Sequence, residues 1–328
     1  MLYKIHMHVV EAQRLFFVAR RPKKDSPHTI AAYRRDLAGV TAILADQLRR
    51  PVDELTVDQL TVHSLRLAFG RFADTHAKSS VLRAWSTWNQ LLSFCVAEEW
   101  IGGNPMGAVT RPRSPAAAPK PLRGEDTPEQ LLSAVASGSR PARDPWPERD
   151  LLVLALGLVA GLRAAEIRGL TQHSVVGRPG EQRLHVRGKG SRERSIPIAG
   201  PMERILAEYR DSLLRRFGKG SLSGRSPLVC GYDGNEIGRG ALEYLVRSCY
   251  RSAGIGDRVP AGAQLHALRH TFATRLAEDG ANATEIMALL GHASLATVQN
   301  YIETSDAQKR AAAMSNRTYQ LLGELGGG

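Results

Sequence analysis

Residues 110–121 (Thr-Arg-Pro-Arg-Ser-Pro-Ala-Ala-Ala-Pro-Lys-Pro) hold four prolines and no large apolar side chain. Proline fixes φ and removes a backbone donor, so neither a helix interior nor a central strand passes through such a stretch. The segment reads as an extended linker that cuts the 328-residue chain in two. Two domains are also what the length favours over a single core. The expected division is residues 1–110, a linker over 111–121, and residues 122–328.

The first part reads as all-helical. Val9, Val10, Leu15, Phe16 and Val18 recur at helical spacing within residues 8–20. Ser26-Pro27 supplies an N-cap followed by proline at the first helical position, opening a helix with Ile30, Tyr33, Leu37, Val40 and Leu44 on one face. Further helices are expected over about 61–75 and 79–99, the latter capped by Ser79 or Ser80. Its stripe is Val81, Leu82, Trp85, Trp88, Leu91, Leu92 and Cys95. The second part is mixed. Helices are expected from Thr127, from Pro147 to Gly161, and over 200–217, 239–253, 266–279, 283–290, 294–303 and 305–315. A hairpin is expected over 183–198, turning at Gly188-Lys-Gly190, and a frayed glycine-rich tail ends the chain.

A formal net charge of +12 and a pI near 10.0 favour a polyanionic partner, nucleic acid before anionic membrane. The longest apolar run, Leu151 to Ala160, is about half of what a bilayer span needs. The start shows no secretory h-region. Cys95, Cys230 and Cys249 lack paired spacing, so neither a disulfide framework nor a zinc cluster is expected, and a reducing cytoplasm is the default.

Four separated clusters carry chemistry: Gly161-Leu-Arg163-Ala-Ala-Glu166, Arg187-Gly-Lys189 through Ile198, His266-Ala-Leu-Arg269-His270, and Leu290-Gly291-His292 through Tyr301. His266, Arg269 and His270 fall on one helical face at i, i+3 and i+4. Gly291 is a natural helix stop, and Ser294 can cap the helix carrying Tyr301. A cation, two imidazoles and a phenol converging on one anion point to phosphate chemistry with a tyrosine nucleophile. Each residue also has a plain structural role open to it. Arg163 can cap the carboxyl end of the preceding helix, His270 can be a buried structural histidine, and Lys189 can be a solvated turn lysine. Tyr33 and Tyr244 are expected in the core. Two rival sites fail on detail. Ala267 stands where a zinc helix of H-E-x-x-H type needs glutamate, and Gly190 follows Lys189 where a phosphate loop needs serine or threonine.

In order and spacing the clusters resemble the tyrosine recombinase (phage integrase) family, of the simple Xer or Cre type. The likeness extends to residues 29–37 (Thr-Ile-Ala-Ala-Tyr-Arg-Arg-Asp-Leu), similar to the family's core-binding helix. Ala164-Ala165 departs from the family, where many members have a larger residue and serine. The resemblance implies a mainly α fold with a small antiparallel β-sheet. A helical, SAM-like core-binding domain would precede an α+β catalytic domain, without an added arm-binding domain. It implies Arg163, Lys189, His266, Arg269, His292 and Tyr301 as catalytic residues, with Glu166 supporting the first arginine and His270 beside them. Two guanidiniums would neutralise the pentavalent phosphate, with His292 donating a further hydrogen bond. His266 would take the Tyr301 proton, and Lys189 would protonate the leaving 5′ oxygen. The 3′-phosphotyrosine so formed conserves the bond energy, so neither ATP, metal nor other cofactor is required.

The expected partner is double-stranded DNA. Arg34, Arg35, Lys78 and Arg83 are candidate contacts on the first domain, and Arg111 and Arg113 on the linker. Assembly would be a homotetramer on two DNA sites, with a sister recombinase or accessory protein as an open addition, in the cytoplasm at the nucleoid. A type IB topoisomerase would share the chemistry. A DNA-binding protein without catalysis is the reading from a different class.

Overall fold

The computed structural model describes residues 7–113, 118–138, 140–188 and 193–291. The chain separates into two compact units, Met1–Ala117 and Ala118–Gly328.

Among the described residues the first unit packs four α-helices, α1 (Val9–Ala19), α2 (Pro27–Leu48), α3 (Val62–Thr75) and α4 (Lys78–Ala97). Ser26 caps α2 by accepting the Thr29 N–H at 3.1 Å, with Pro27 at the first position, as the sequence pattern requires. Thr61 caps α3 in the same way through Ser64. For α4 the expected serine cap is replaced. Ala77 is the N-cap, and its carbonyl accepts from Ser80 and Val81, which leaves both serines inside the first turn. Leu37, Val40, Leu44, Leu65, Trp88 and Leu92 form the buried centre. Two expected stripes are shallower than their periodicity suggests. Ile30, Tyr33, Leu82 and Trp85 are only half-buried, and Val10 and Val18 are exposed. α1 turns just one narrow face, bearing Val9, Ala12 and Phe16, to the core.

The second unit is built on α6 (Pro147–Leu158), whose residues from Leu152 to Leu158 are all buried. Around it lie α5 (Thr127–Ala136), α7 (Ala164–Gly169), α8 (Gly200–Phe217), α9 (Arg239–Ser252), α10 (Gln264–Glu278) and α11 (Ala283–Leu290). Thr127 is the first residue of α5 rather than its cap, because its hydroxyl donates back to the Arg123 carbonyl. α6 stops three residues short of Gly161. Gly161 has φ +61°, and a Cβ there would lie 2.4 Å from the Phe272 ring, so the chain makes a tight turn that only glycine fills.

Three antiparallel strands follow in the order β1 (Val175–Val176), β2 (Arg183–Arg187) and β3 (Glu193–Pro197). The β2–β3 register runs from Arg183 opposite Pro197 to Arg187 opposite Glu193. Leu184, Val186 and Ile196 point into the core by the period-two alternation of strands. β1 was not anticipated, since two residues show no alternation. Tyr244, expected in the core, is exposed on α9, where Leu242, Leu245, Val246 and Cys249 take the inward face. Among the described residues no helix is long and apolar enough to cross a membrane. The helices expected over 294–303 and 305–315 and the frayed tail lie outside the described residues.

Candidate active site

The Gly161 turn delivers Arg163 to the N-cap position of α7, not to the end of the helix before it. Three residues on, Glu166 reaches back: its Oε2 accepts the Arg163 backbone N–H at 2.8 Å, and its Oε1 accepts the Arg163 Nη1 at 2.9 Å. This ties the arginine to the helix start from both its backbone and its side chain. The Glu166 side chain is 4% exposed while that of Arg163 is 35% exposed, so the pair has a buried acidic root and an open cationic end.

A second arginine grips the same carboxylate. Arg194 of β3 donates from Nη1 and Nη2 to the two Glu166 oxygens, each at 2.9 Å. A third, Arg269 of α10, places Nη1 at 3.7 Å from Glu166 Oε2. Arg269 is held by carbonyls at both ends, donating from Nη1 to Gly161 O at 2.5 Å and from Nη2 to Leu290 O at 2.7 Å. Burial by itself would raise the Glu166 pKa. The hydrogen bonds from Arg194 and the Arg163 backbone, with the charges of both arginines, bring it down to about 2. Three guanidiniums thus surround one carboxylate, and the cluster keeps an excess of positive charge suited to an anion.

His266 sits one helical turn before Arg269, exposed at the edge of this cluster. Its pKa is lowered, first by partial desolvation and then by Arg269, Arg163 and Arg239. The neutral imidazole is therefore the resting form, which can accept a proton. His270, half-buried one turn further on with its ring centroid 6.3 Å from that of His266, is pushed down to about 4. Burial leads, followed by His266, Arg269 and Lys120.

Five of the expected site residues, Arg163, Glu166, His266, Arg269 and His270, are therefore gathered around one end of the second unit's core. Lys189, His292 and Tyr301 lie outside the described residues. No role for Arg194 follows from spacing. The available signal was an arginine on the same face of β3 as the buried Ile196. The N-cap of α11 was also missed: Asn282 Oδ1 accepts from Thr284 and Glu285 N–H, and Glu285 returns a bond to the Asn282 N–H. That capping fixes the helix whose last carbonyls receive Arg194 and Arg269.

The candidate DNA contacts are less uniform. Arg35, Lys78 and Arg113 are exposed. Arg34 stacks over the Phe17 ring with its guanidinium carbon 5.2 Å from the centroid, and Arg111 over Trp85 at 5.6 Å. Arg83 donates from Nε and Nη2 to both oxygens of the buried Asp36, each at 2.8 Å, so its fork already serves the first unit's interior. Among the described residues no group of three histidine, cysteine or acidic side chains could hold a metal ion.

The profile described as the phage integrase family matches residues 124–308. Among similar chains is a tyrosine recombinase XerC of Methylobacterium sp. (strain 4-46), 33% identical over 301 residues, which are 89% of this chain and 88% of the relative. Another is a tyrosine recombinase XerC of Brucella suis biovar 1 (strain 1330), 30% identical over 278 residues and 84% of each chain. The fold is similar to that of XerH site-specific recombinase bound to its palindromic difH substrate after cleavage. There the TM-score is 0.72 at 17% identity, over 93% of this chain and 84% of that one. It is also similar to that of a lambda integrase tetramer bound to a Holliday junction, with a TM-score of 0.66 at 17% identity, over 93% and 79% of the two chains.

Proposed function

The chain belongs to the phage integrase family and is a tyrosine-type site-specific recombinase, and on that premise we propose how its own residues divide the work. Arg163 and Arg269 hold the non-bridging oxygens of the scissile phosphate and oppose the charge that builds in the pentavalent state. His292 donates a further hydrogen bond to the same group. His266 takes the phenol proton as the Tyr301 oxygen attacks phosphorus. Lys189 gives a proton to the 5′ oxygen as its bond to phosphorus breaks. The product is a 3′-phosphotyrosine and a free 5′-hydroxyl. A 5′-hydroxyl from a second strand reverses the step, which needs no ATP because one ester has replaced another.

The partner is double-stranded DNA, for which the +12 net charge is suited. Both units engage the duplex, with Arg34, Arg35, Lys78, Arg111 and Arg113 of the first meeting DNA, while the Arg83 fork is committed to Asp36. Four protomers assemble on two sites, in the cytoplasm at the nucleoid. The observation that carries this reading is the convergence of Arg163 and Arg269 on the buried Glu166, with His266 one helical turn before Arg269 on α10. The test is the Tyr301→Phe protein. It should bind its DNA site with unchanged affinity and form no covalent adduct, and an adduct on that variant would remove Tyr301 from the role.

A further inference from the structure

Three stretches of the second unit that are far apart in sequence meet at the Arg194 guanidinium. Its side chain is 9% exposed, on the core side of β3 and opposite Val186 in the β2–β3 register. Besides the two bonds to Glu166, its Nε donates to the Leu289 carbonyl at 2.8 Å. One planar fork thus joins the hairpin to the start of α7, which bears Arg163, and to the last turn of α11. Gly291 leaves room for it, since a Cβ there would lie 3.1 Å from Arg194 Cδ.

Among the described residues, the other ion pair at this end of the hairpin is local to it. Arg187 and Glu193, the last described pair of the β2–β3 register, bond to each other at 2.8 Å, with side chains 87% and 58% exposed. That pair faces solvent and fixes the hairpin to nothing beyond itself. Leu184, Val186 and Ile196 are buried, but apolar contacts carry no direction. Arg194 supplies directional, charge-assisted bonds one residue from the start of β3, the end of the strand nearest Lys189 in sequence. Arg194, Arg163 and Arg269 share the one Glu166 carboxylate, so the three guanidiniums together keep a net positive charge.

We propose that Arg194 is a positioning residue for strand cleavage: it anchors the β2–β3 hairpin to Glu166 and to α11, and so sets where Lys189 meets the leaving 5′ oxygen. The inference rests on Lys189 being the general acid, as argued above.

The test separates the acid step from the rest. On an ordinary phosphodiester, the P–O5′ bond breaks as the Tyr301 O–P bond forms, and the departing oxygen takes the Lys189 proton. If sulfur replaces that bridging oxygen, the group leaves as a thiolate, whose conjugate acid has a pKa of about 8.5, and needs no proton. The probe is a nicked suicide duplex, its sequence taken from genomic fragments trapped covalently on the wild-type protein, made with oxygen or sulfur at the 5′ bridge. Arg194→Gln should lower the rate of adduct formation about 100-fold on the oxygen duplex and about threefold or less on the sulfur duplex. Arg194→Lys, which keeps the charge but loses the fork, should fall between Gln and wild type. In a Lys189→Ala background, Arg194→Gln should add no further loss on the oxygen duplex. Equal losses on both duplexes, or additive losses with Lys189→Ala, would overturn the inference and leave Arg194 a support of the fold or phosphate pocket in general. If instead Lys189→Ala cleaves the oxygen duplex at the wild-type rate, the assignment of the acid fails, and the inference goes with it.

Discussion

Replacing Glu166 by glutamine keeps the shape of the side chain and removes the charge on which the site's arginines converge. The carboxylate is 4% exposed and accepts from Arg163 and Arg194 through both oxygens. An amide offers one acceptor and turns two N–H donors toward guanidinium or backbone N–H groups. Breaking such a buried pair costs about 3–5 kcal/mol. Linkage gives an independent figure. The folded pKa of about 2 lies below the ordinary 4.5, and at about 1.4 kcal/mol per unit the ionised form adds about 3 kcal/mol at neutral pH. Because the folded value is depressed, this contribution is complete above pH 4.5 and is lost as pH falls toward 2. At pH 3 less than half of it should remain. Thermal and urea unfolding of wild type and Glu166→Gln, measured side by side at pH 7 and pH 3, therefore has two expected outcomes. The difference is about 3 kcal/mol at pH 7, and it shrinks by more than half at pH 3. A variant as stable as wild type at pH 7, or a gap that does not close with acid, would refute the account of how Glu166 is held.

Three further outcomes follow from the same geometry. Gly161→Ala must accept φ +61° and a Cβ 2.4 Å from Phe272, so it should lose about 2 kcal/mol or more of stability and bind phosphate-containing DNA more weakly, read by melting and by titration. His270, depressed to about 4, is neutral in the folded protein while the unfolded chain gains a proton below about pH 6.5. Stability should fall as pH drops from 6.5 toward 4, and His270→Asn should flatten that part of the pH–stability curve. Arg83→Ala strips the partner from Asp36, which is 2% exposed, but the Arg83 side chain is itself 44% exposed, so the first unit should lose about 1–2 kcal/mol in calorimetry, a loss that Asp36→Asn in the same chain reduces.

The parts of this protein that were legible in its sequence are those governed by local rules. The Ser26-Pro27 cap, the apolar run of α6 and the alternation of Leu184 and Val186 each depend on neighbours within a few residues, and each appears where expected. The helical spacing of His266, Arg269 and His270 likewise placed the two imidazoles a turn apart on α10. What escaped depends on contacts made at a distance. Arg194 and Glu166 are 28 residues apart, and Arg269 meets a carbonyl 108 residues before it, so no window on the sequence contains either bond. Spacing also says which face of a helix is apolar but not how much of that face another element covers. For this reason Val10, Val18 and Trp85 lie further out than their periodicity indicates. Arg83 teaches the converse: a basic residue on a helix flank reads as a surface charge until the acid beneath it, Asp36, is seen.

The most direct test of the central claim is chemical. Wild-type protein is trapped on a suicide duplex, digested with protease, and the DNA-linked peptide is sequenced by mass spectrometry. The account predicts a single modified peptide, with a 3′-phosphate esterified to the oxygen of Tyr301 and a free 5′-hydroxyl on the released strand. A linkage to any other side chain, or to a 5′-phosphate, would contradict it.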